Sequence, residues 1–244
     1  GVACGELHNG DDSMRRFLLA CIALSMLAAP ALAAPVPHQA MELLPVLARA
    51  IRNQWPACPQ PWVLAGKIEQ ESGWRVRAEL KTSREYGFGL GQITIAYNKD
   101  GTERFNNFVS ALKVTMMKNQ ITWERRFDPE FQLTYAVLSS RGNYSLAQGF
   151  FDDDESATAG MLVAYNAGPG RLVQRKAEAV RRGIDPPRAW YGGLENIHSR
   201  AEERILYGKP LWKRVNEYPR LIMFVRAPKY RLLICGELLK DGDD

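Results

Sequence analysis

Hydrophobic positions recur at helical spacing along most of the chain after residue 40. Apolar residues at 43, 44, 46, 47 and 51 predict a helix over 40–53, which a proline-rich segment ends. A second helix is predicted over 62–72, closed by Gly73. Further helices are predicted over 105–118, 129–138, 157–164, 171–182 and 195–206, the last two charged and facing solvent. Strand signals are weak and no repeat is visible, so the pattern predicts a mainly α fold.

The first residues follow a different pattern. After Met14 come two arginines, an apolar run over 17–29 and small residues at 31 and 33, which predict a secretory signal peptide cleaved after residue 33. A membrane anchor is the alternative, but the run is shorter than the roughly 20 residues of a spanning helix. Lipid attachment at Cys21 is a second alternative. We therefore expect export to the periplasm or cell envelope, with no transmembrane segment in the mature chain.

Composition places the mature chain among ordinary globular proteins. The 244 residues include 32 Lys plus Arg against 27 Asp plus Glu, for a net charge of +5. Three histidines and four cysteines exclude a zinc ribbon or a dense disulfide scaffold, and no metal or organic cofactor is expected. We divide the chain into the leader 1–33, an N-terminal helix and proline-rich connection 34–60, a main domain 61–230 and a tail 231–244.

Two cysteines remain after the leader, Cys58 and Cys235. In an oxidising compartment they form either one disulfide or two unrelated buried thiols, and both alternatives stay open. A cysteine peptidase would have to use one of them with His38 or His198, but neither cysteine stands in a nucleophile motif.

The helix over 62–72 carries the first candidate for chemistry. At 100° per residue Leu64, Ile68 and Glu71 share a narrow stripe, whereas Glu69 points away from it. A carboxyl on an inward face is desolvated, which raises its pKa towards the range of a general acid. The alternative is a buried glutamate paired with an arginine.

Glycines at 87, 89 and 91, followed by Gln92, mark a loop. Nucleotide binding is rejected, because the third glycine of a dinucleotide fingerprint would fall on Gln92 and no strand signal precedes the loop. Such glycines let a bulky substrate approach the backbone, and the Gln92 amide can donate and accept hydrogen bonds. A tight turn between helices is the alternative.

A third segment, 163–170, places Tyr165 and Asn166 at a helix end before Gly168, Pro169 and Gly170. Each has an ordinary structural explanation, Asn166 as a helix cap and Tyr165 as a core residue.

Taken in order, Glu71-Ser72, Gly89-Leu90-Gly91-Gln92 and Ala164-Tyr165-Asn166-Ala167-Gly168 resemble the three signature motifs of the soluble lytic transglycosylase family. The resemblance covers roughly 62–170 and implies a lysozyme-like single helical domain with a loop-rich part around a groove. It makes Glu71 the single catalytic acid and base, with Ser72 orienting substrate or carboxylate. Gln92 and Tyr165 would line the sugar-binding groove, and Asn166 would hold the site together.

The resemblance also implies an activity and a partner. The substrate would be the peptidoglycan glycan strand, cleaved between N-acetylmuramic acid and N-acetylglucosamine to leave 1,6-anhydro ends. The partner would be a secretion or conjugation complex that spans the envelope. Two departures stand out: the family usually has methionine at Gly91, and the wide spacing of the last two motifs predicts an inserted helical arm around 97–126.

Three alternatives to a transglycosylase remain. A hydrolytic muramidase would use a second carboxylate, for which Glu85 and Asp128 are the candidates. A non-catalytic glycan-binding component would not need Glu71. A nucleic-acid binder is suggested by a basic cluster, but export argues against it and a solvated helix face is the better interpretation. The cluster consists of Arg171, Arg175, Lys176, Arg181 and Arg182.

Overall fold

Helices dominate residues 35–206 and 208–240, which the computed structural model describes. They are α1 (His38–Gln54), α2 (Pro61–Ser72), α3 (Asn107–Val114), α4 (Pro129–Gln148), α5 (Asp154–Ala167), α6 (Gly170–Arg181), α7 (Leu211–Arg220) and α8 (Arg231–Leu239). Short 3₁₀ helices cover Leu194–Asn196, Arg200–Glu203 and Ala227–Tyr230, and a π-helix covers Leu221–Arg226. The strands are β1 (Glu79–Lys81), β2 (Glu85–Phe88), β3 (Ile93–Tyr97), β4 (Glu103–Asn106), β5 (Ile205–Leu206) and β6 (Lys209–Pro210).

These elements confirm the predicted mainly α domain. All described residues belong to one compact unit, and both α1 and α8 contribute to its main core. The expected signal peptide over 1–33 lies outside the described residues. None of the described helices is both long and apolar enough to cross a membrane.

Helix α2 lies at the centre of the main core. It begins at a proline, ends at Gly73 in the left-handed conformation as predicted, and is buried at every position from Val63 to Glu69. The C-terminal segments Leu221–Arg226 and Ala227–Tyr230 pack against it. Contact is so close at Gly66 that an added Cβ would lie 2.8 Å from the Ala227 nitrogen. A helix buried in this way must find partners for each of its polar side chains.

A four-stranded antiparallel sheet corrects the expectation of a glycine loop between helices. Strands β1 to β4 pair in sequence order, and Gly87 lies inside β2 opposite Thr94. The strands are only three to five residues long and β1 is fully exposed, so their alternation is too short to stand out from the sequence. The glycine segment therefore does follow a strand, but it leads into β3 and not into a helix.

The sheet packs on a second, smaller core. Phe88, Ile93 and Ile95 from the sheet meet Phe108 of α3 and Phe131 of α4. Further along α4, Leu133 and Val137 belong to the main core. Helix α4 thus connects the two cores. The segment 97–126 was expected to form an inserted helical arm, but it is helical only over Asn107–Val114 and completes the smaller core.

Two helix boundaries differ from the predictions near this second core. The helix predicted over 105–118 begins only at Asn107, because Asn106 ends β4 and its side chain caps the helix by accepting from Phe108 N and Val109 N. Helix α4 runs on to Gln148 rather than 138, because Tyr144 and Ala147 are buried in the main core. Tertiary packing therefore overrides the weak helix propensity of the serines and glycine in that stretch.

The two helices that were expected to face solvent, over 171–182 and 195–206, differ more strongly from their predictions. Helix α6 has nearly the predicted bounds, but Arg175 is fully buried. Its guanidinium donates to Glu202 at 3.0 Å and to Asn216 at 2.8 Å. The predicted helix over 195–206 is wrong: this segment forms 3₁₀ turns and a strand, because Glu195 and Glu202 turn inward to pair with Arg220 and Arg175. Arg181 and Arg182 both pair with Glu178, so the basic cluster is largely balanced by carboxylates.

The C-terminal segment is fixed to α2 through Glu69, which is buried rather than pointing away from the core. Glu69 Oε1 accepts from Lys229 Nζ at 2.8 Å and from Arg226 at 3.0 Å. Its Oε2 accepts from the Tyr230 hydroxyl at 2.5 Å, and that hydroxyl accepts from Trp74 Nε1 at 2.9 Å. A buried carboxylate with two cations and a phenol has every oxygen satisfied.

Removing the charge at Glu69 should destabilise the fold. Glu69→Gln leaves the Lys229 ammonium, 8% exposed, without its carboxylate, and we expect the free energy of unfolding to fall by about 3 kcal/mol. Urea denaturation measures the change. The control is Asp152→Asn, which breaks an ion pair with Arg188 whose two side chains are 64% and 53% exposed, and it should change stability little. Equal losses in the two variants would contradict the role of Glu69.

Candidate active site

Glu71 lies in the last turn of α2, half-buried where that helix meets α7. Its Oε1 accepts a hydrogen bond from the Tyr218 hydroxyl. Burial raises the pKa of Glu71 above its ordinary value, while the Tyr218 hydrogen bond and the charge of Lys67 oppose that rise. The carboxyl therefore retains its proton to higher pH than a carboxyl in water, which suits a general acid.

The segment from Gly89 to Gln92 is the tight connection between β2 and β3. Gly89 has φ +77° and Gln92 has φ +50°, both in the left-handed region. The Gln132 side chain of α4 fixes this connection. Its Oε1 accepts from Leu90 N at 2.5 Å, and its Nε2 donates to the Arg126 carbonyl at 2.8 Å. A left-handed glutamine is uncommon and strained, and such residues concentrate at functional sites.

Tyr165 of α5 joins the second motif to the third. Its hydroxyl donates to the Gly91 carbonyl at 2.5 Å. A Cβ added at Gly91 would lie 3.0 Å from that hydroxyl oxygen, so the absence of a side chain at position 91 lets Tyr165 reach the backbone. Burial raises the pKa of Tyr165 well above its ordinary value, and the nearby Glu71 raises it further. The structure thus brings Glu71, Gly91 and Tyr165 into one neighbourhood.

Lys67 lies one turn before Glu71 and is fully buried. Its ammonium donates to Ser140 Oγ at 2.5 Å and to the Ala136 carbonyl at 3.1 Å, and it lies 3.8 Å from the centre of the Tyr165 ring. Burial lowers the pKa of Lys67 to about 7, although Glu71 opposes this.

The other predicted site residues are placed as follows. Ser72 is buried, and its hydroxyl donates to the Ile68 carbonyl at 3.0 Å and accepts from Trp74 N at 3.1 Å, so it closes the helix end. The Gln92 side chain donates to the Gly89 carbonyl at 3.1 Å and is half-buried. Asn166 is exposed, and its side chain makes no hydrogen bond to any residue that the structure describes. A substrate contact for each of these three stays a prediction.

Both candidates for a second carboxylate have structural partners. Glu85 lies at the start of β2, three residues before Phe88, and pairs with Arg104 at 3.4 Å. Asp128 is the N-cap of α4, accepts from Phe131 N at 3.1 Å and pairs with Arg125. Tyr218 and Lys67, whose hydrogen bond and charge oppose the rise in the Glu71 pKa, are not acidic.

Sequence reasoning missed Lys67, Gln132 and Tyr218. Lys67 precedes Glu71 by four residues, so their shared helix face could have been seen in the spacing. Gln132 and Tyr218 act through contacts between residues distant in sequence, and no local pattern reports them.

Two cysteines lie among the described residues. Cys58 and Cys235 are free, half-buried thiols, so the structure favours the two-thiol alternative over a disulfide. Burial raises the pKa of Cys58 to about 12, opposite to the requirement of a nucleophilic thiolate. Within the described ranges no group of three or more His, Cys, Asp or Glu side chains is placed to hold a metal ion.

No model of a protein family matches the chain, and no curated protein is significantly similar to it.

The contact between Gly89 and Gln132 can be tested with a matched pair of glycines. Gly89→Ala places a Cβ onto the Gln132 amide, whereas Gly101→Ala, also at a positive φ of +84°, meets nothing within 4 Å. Both variants place an alanine in the left-handed region. The difference between their unfolding free energies therefore reports the collision of the new Cβ with the Gln132 amide. We expect Gly89→Ala to lose about 2 kcal/mol more unfolding free energy than Gly101→Ala. Equal losses would mean that Gln132 moves aside freely.

Proposed function

We propose that this protein is a peptidoglycan lytic transglycosylase of the soluble lytic transglycosylase family, with a lysozyme-like fold. The observation that carries the proposal is the half-buried Glu71 carboxyl, hydrogen-bonded by Tyr218 and close to the Tyr165 that is bonded to Gly91. The second motif thus contacts Tyr165 of the third motif, and Tyr165 lies near the Glu71 carboxyl of the first. The leader predicted over 1–33 supports export to the periplasm or cell envelope, where the substrate lies.

One carboxyl can serve both halves of the reaction. Glu71 donates its proton to the glycosidic oxygen as the bond from that oxygen to C1 of N-acetylmuramic acid breaks. The substrate's own acetamido group stabilises the positive charge that develops at C1. The ionised Glu71 then takes the proton of the C6 hydroxyl as that oxygen bonds to C1. The product is a 1,6-anhydro ring, Glu71 is protonated again, and no water is consumed.

Tyr218 would keep the carboxyl in position through both steps. Its hydroxyl donates to Oε1, so Oε2 is left to face the substrate. Because Tyr218 itself is buried, its pKa is raised well above the ordinary value and it remains a donor at every working pH.

The principal alternative is a hydrolytic muramidase. It needs a second carboxylate about 5 to 9.5 Å from the first, or help from the substrate. The engagement of Glu85 with Arg104 and of Asp128 in the cap of α4 favours the single-carboxyl route. Wall opening for an envelope-spanning secretion or conjugation complex would be the cellular use of this activity.

The ends of the released fragments decide between these functions, and replacing Glu71 shows whether it is the acid. Peptidoglycan digested with the protein should release fragments with anhydro-muramyl ends, and Glu71→Gln should lower the rate at least about 100-fold because the acid is gone. Glu85→Gln is the matched control and should retain the rate. Mass spectrometry reads the ends. Reducing ends that disappear in Glu85→Gln would establish the hydrolase, and glycan binding without any release would establish a binding protein.

Tyr218→Phe should change the pH dependence as well as the rate. The Tyr218 hydrogen bond stabilises ionised Glu71, so its loss raises the Glu71 pKa. Because donation requires the protonated acid, the alkaline fall in activity should move to higher pH, while kcat drops about tenfold through lost orientation. Tyr144→Phe, which removes a similar 2.6 Å bond to Asp154, is the control. An unchanged alkaline limb in Tyr218→Phe would count against the role of this bond.

A further inference from the structure

Lys67 is a buried cation whose partners do not balance its charge. Its ammonium has a neutral hydroxyl, a carbonyl and the face of the Tyr165 ring around it. Among the described residues no carboxylate oxygen lies within the 4.0 Å of an ion pair. Burying an ammonium without a carboxylate is costly, so the position calls for a reason other than stability.

The surrounding structure does not depend on the ammonium for its hydrogen bonds. Ser140 Oγ also donates to the Ala136 carbonyl at 2.6 Å, so both groups keep a partner when Lys67 is replaced. A methionine has a similar length and no charge. A purely structural role for this position would therefore be filled as well by an apolar side chain.

The other titratable groups near the site are neutral. Tyr165 and Tyr218 face Glu71 from α5 and α7, Tyr135 faces Tyr165 from α4, and Cys58 faces Lys67 from the proline-rich connection. Burial raises the pKa of each of them above its ordinary value, so each is uncharged at neutral pH. Within this set Lys67 is the group that can present a positive charge to Glu71.

We propose that Lys67 is a positioning residue for Glu71: it braces the Tyr165 ring against the Gly91 turn and supplies the positive charge that stabilises the ionised carboxylate. This rests on the proposed function, in which the ionised form of Glu71 takes the proton from the C6 hydroxyl. The charge and the acid lie on one helix face, one turn apart, so the same buried helix sets their separation.

The charge acts in the neutral pH range. Burial lowers the pKa of Lys67 to about 7, so the stabilisation of ionised Glu71 is present below that pH and is lost as Lys67 deprotonates above it. When Glu71 is protonated and Lys67 is charged, proton transfer from Glu71 to the substrate leaves an oppositely charged pair. The transfer is favoured because the charge it creates is compensated inside the site.

The test measures the ionisation of Glu71 directly. The ¹³C chemical shift of the Glu71 carboxyl, assigned by its absence in Glu71→Gln, is titrated in the wild type, in Lys67→Met and in Lys118→Met, where Lys118 is an exposed control. We expect Lys67→Met to raise the Glu71 pKa by about one unit and Lys118→Met to leave it unchanged. An unchanged Glu71 pKa in folded Lys67→Met overturns the proposal.

If Lys67→Met does not fold, a second variant tests the proposal. Ser140→Ala removes the 2.5 Å acceptor of the ammonium but leaves the lysine in place, which weakens the charged form of Lys67. A smaller upward shift of the Glu71 pKa is expected, and a wild-type value overturns the proposal.

Activity is a separate readout. Lys67→Met should lower kcat about tenfold and change KM little. The alkaline fall in activity should move to higher pH, because the Glu71 pKa is raised. Lys67→Met should unfold thermally at the same temperature as the wild type or at a higher one, because the costly buried charge is removed. The titration needs no turnover, so the two proposals can fail separately. If the wild type releases no anhydro ends but Lys67→Met still raises the Glu71 pKa, the proposed function is refuted and the effect of Lys67 on Glu71 is supported.

Discussion

The burial of helix α2 on all sides is the constraint on which the rest of the structure depends. A helix in that position cannot leave a polar side chain to solvent, yet α2 carries three ionisable groups within five residues. Each has a different environment. Glu69 is compensated by Lys229, Arg226 and Tyr230. Glu71 has the single hydroxyl of Tyr218, and Lys67 has no carboxylate at ion-pair distance among the described residues, although it senses the charge of Glu71. The degree of compensation separates Glu69, which holds the fold together, from Glu71 and Lys67, to which we assign the proposed chemistry.

This arrangement makes the C-terminal part of the domain necessary for the site. Tyr218 contacts Glu71 from α7, and the segment beyond it supplies the partners of Glu69 on the same helix. Gly66 has no side chain, which lets Ala227 approach the backbone of α2. A truncation before Tyr218 would expose α2, leave two carboxylates without partners and remove the donor that orients Glu71. Stability and the geometry of the site are therefore linked through one helix.

The sequence predicted the parts of this arrangement that local periodicity reports. Helical spacing located α1, α2 and α6 to within a few residues, and Gly73 marked the end of α2 because a left-handed cap needs a glycine. The sheet was missed because strands as short as Glu79–Lys81, with every residue exposed, carry too few alternating positions. The turns around Glu195 and Glu202 were taken for a solvent-facing helix, since a charged residue buried by a distant arginine looks the same in sequence as an exposed one. Gln132 and Tyr218 belong to the site only through tertiary contacts.

Position 91 departs from the pattern of the family that we propose for this protein, and the departure has a physical interpretation. With no side chain at Gly91, the Tyr165 hydroxyl reaches the Gly91 carbonyl and donates its hydrogen bond there. The ring face nearest Lys67 is covered by the ammonium, so neither the hydroxyl proton nor that face is free for a sugar. What remains to Tyr165 is the acceptor capacity of its oxygen, which suits an N–H or O–H donor on the substrate. In the proposed function, a methionine side chain would give the sugar-binding groove an apolar wall, whereas Gly91 leaves the fixed Tyr165 oxygen, a polar acceptor, near Glu71.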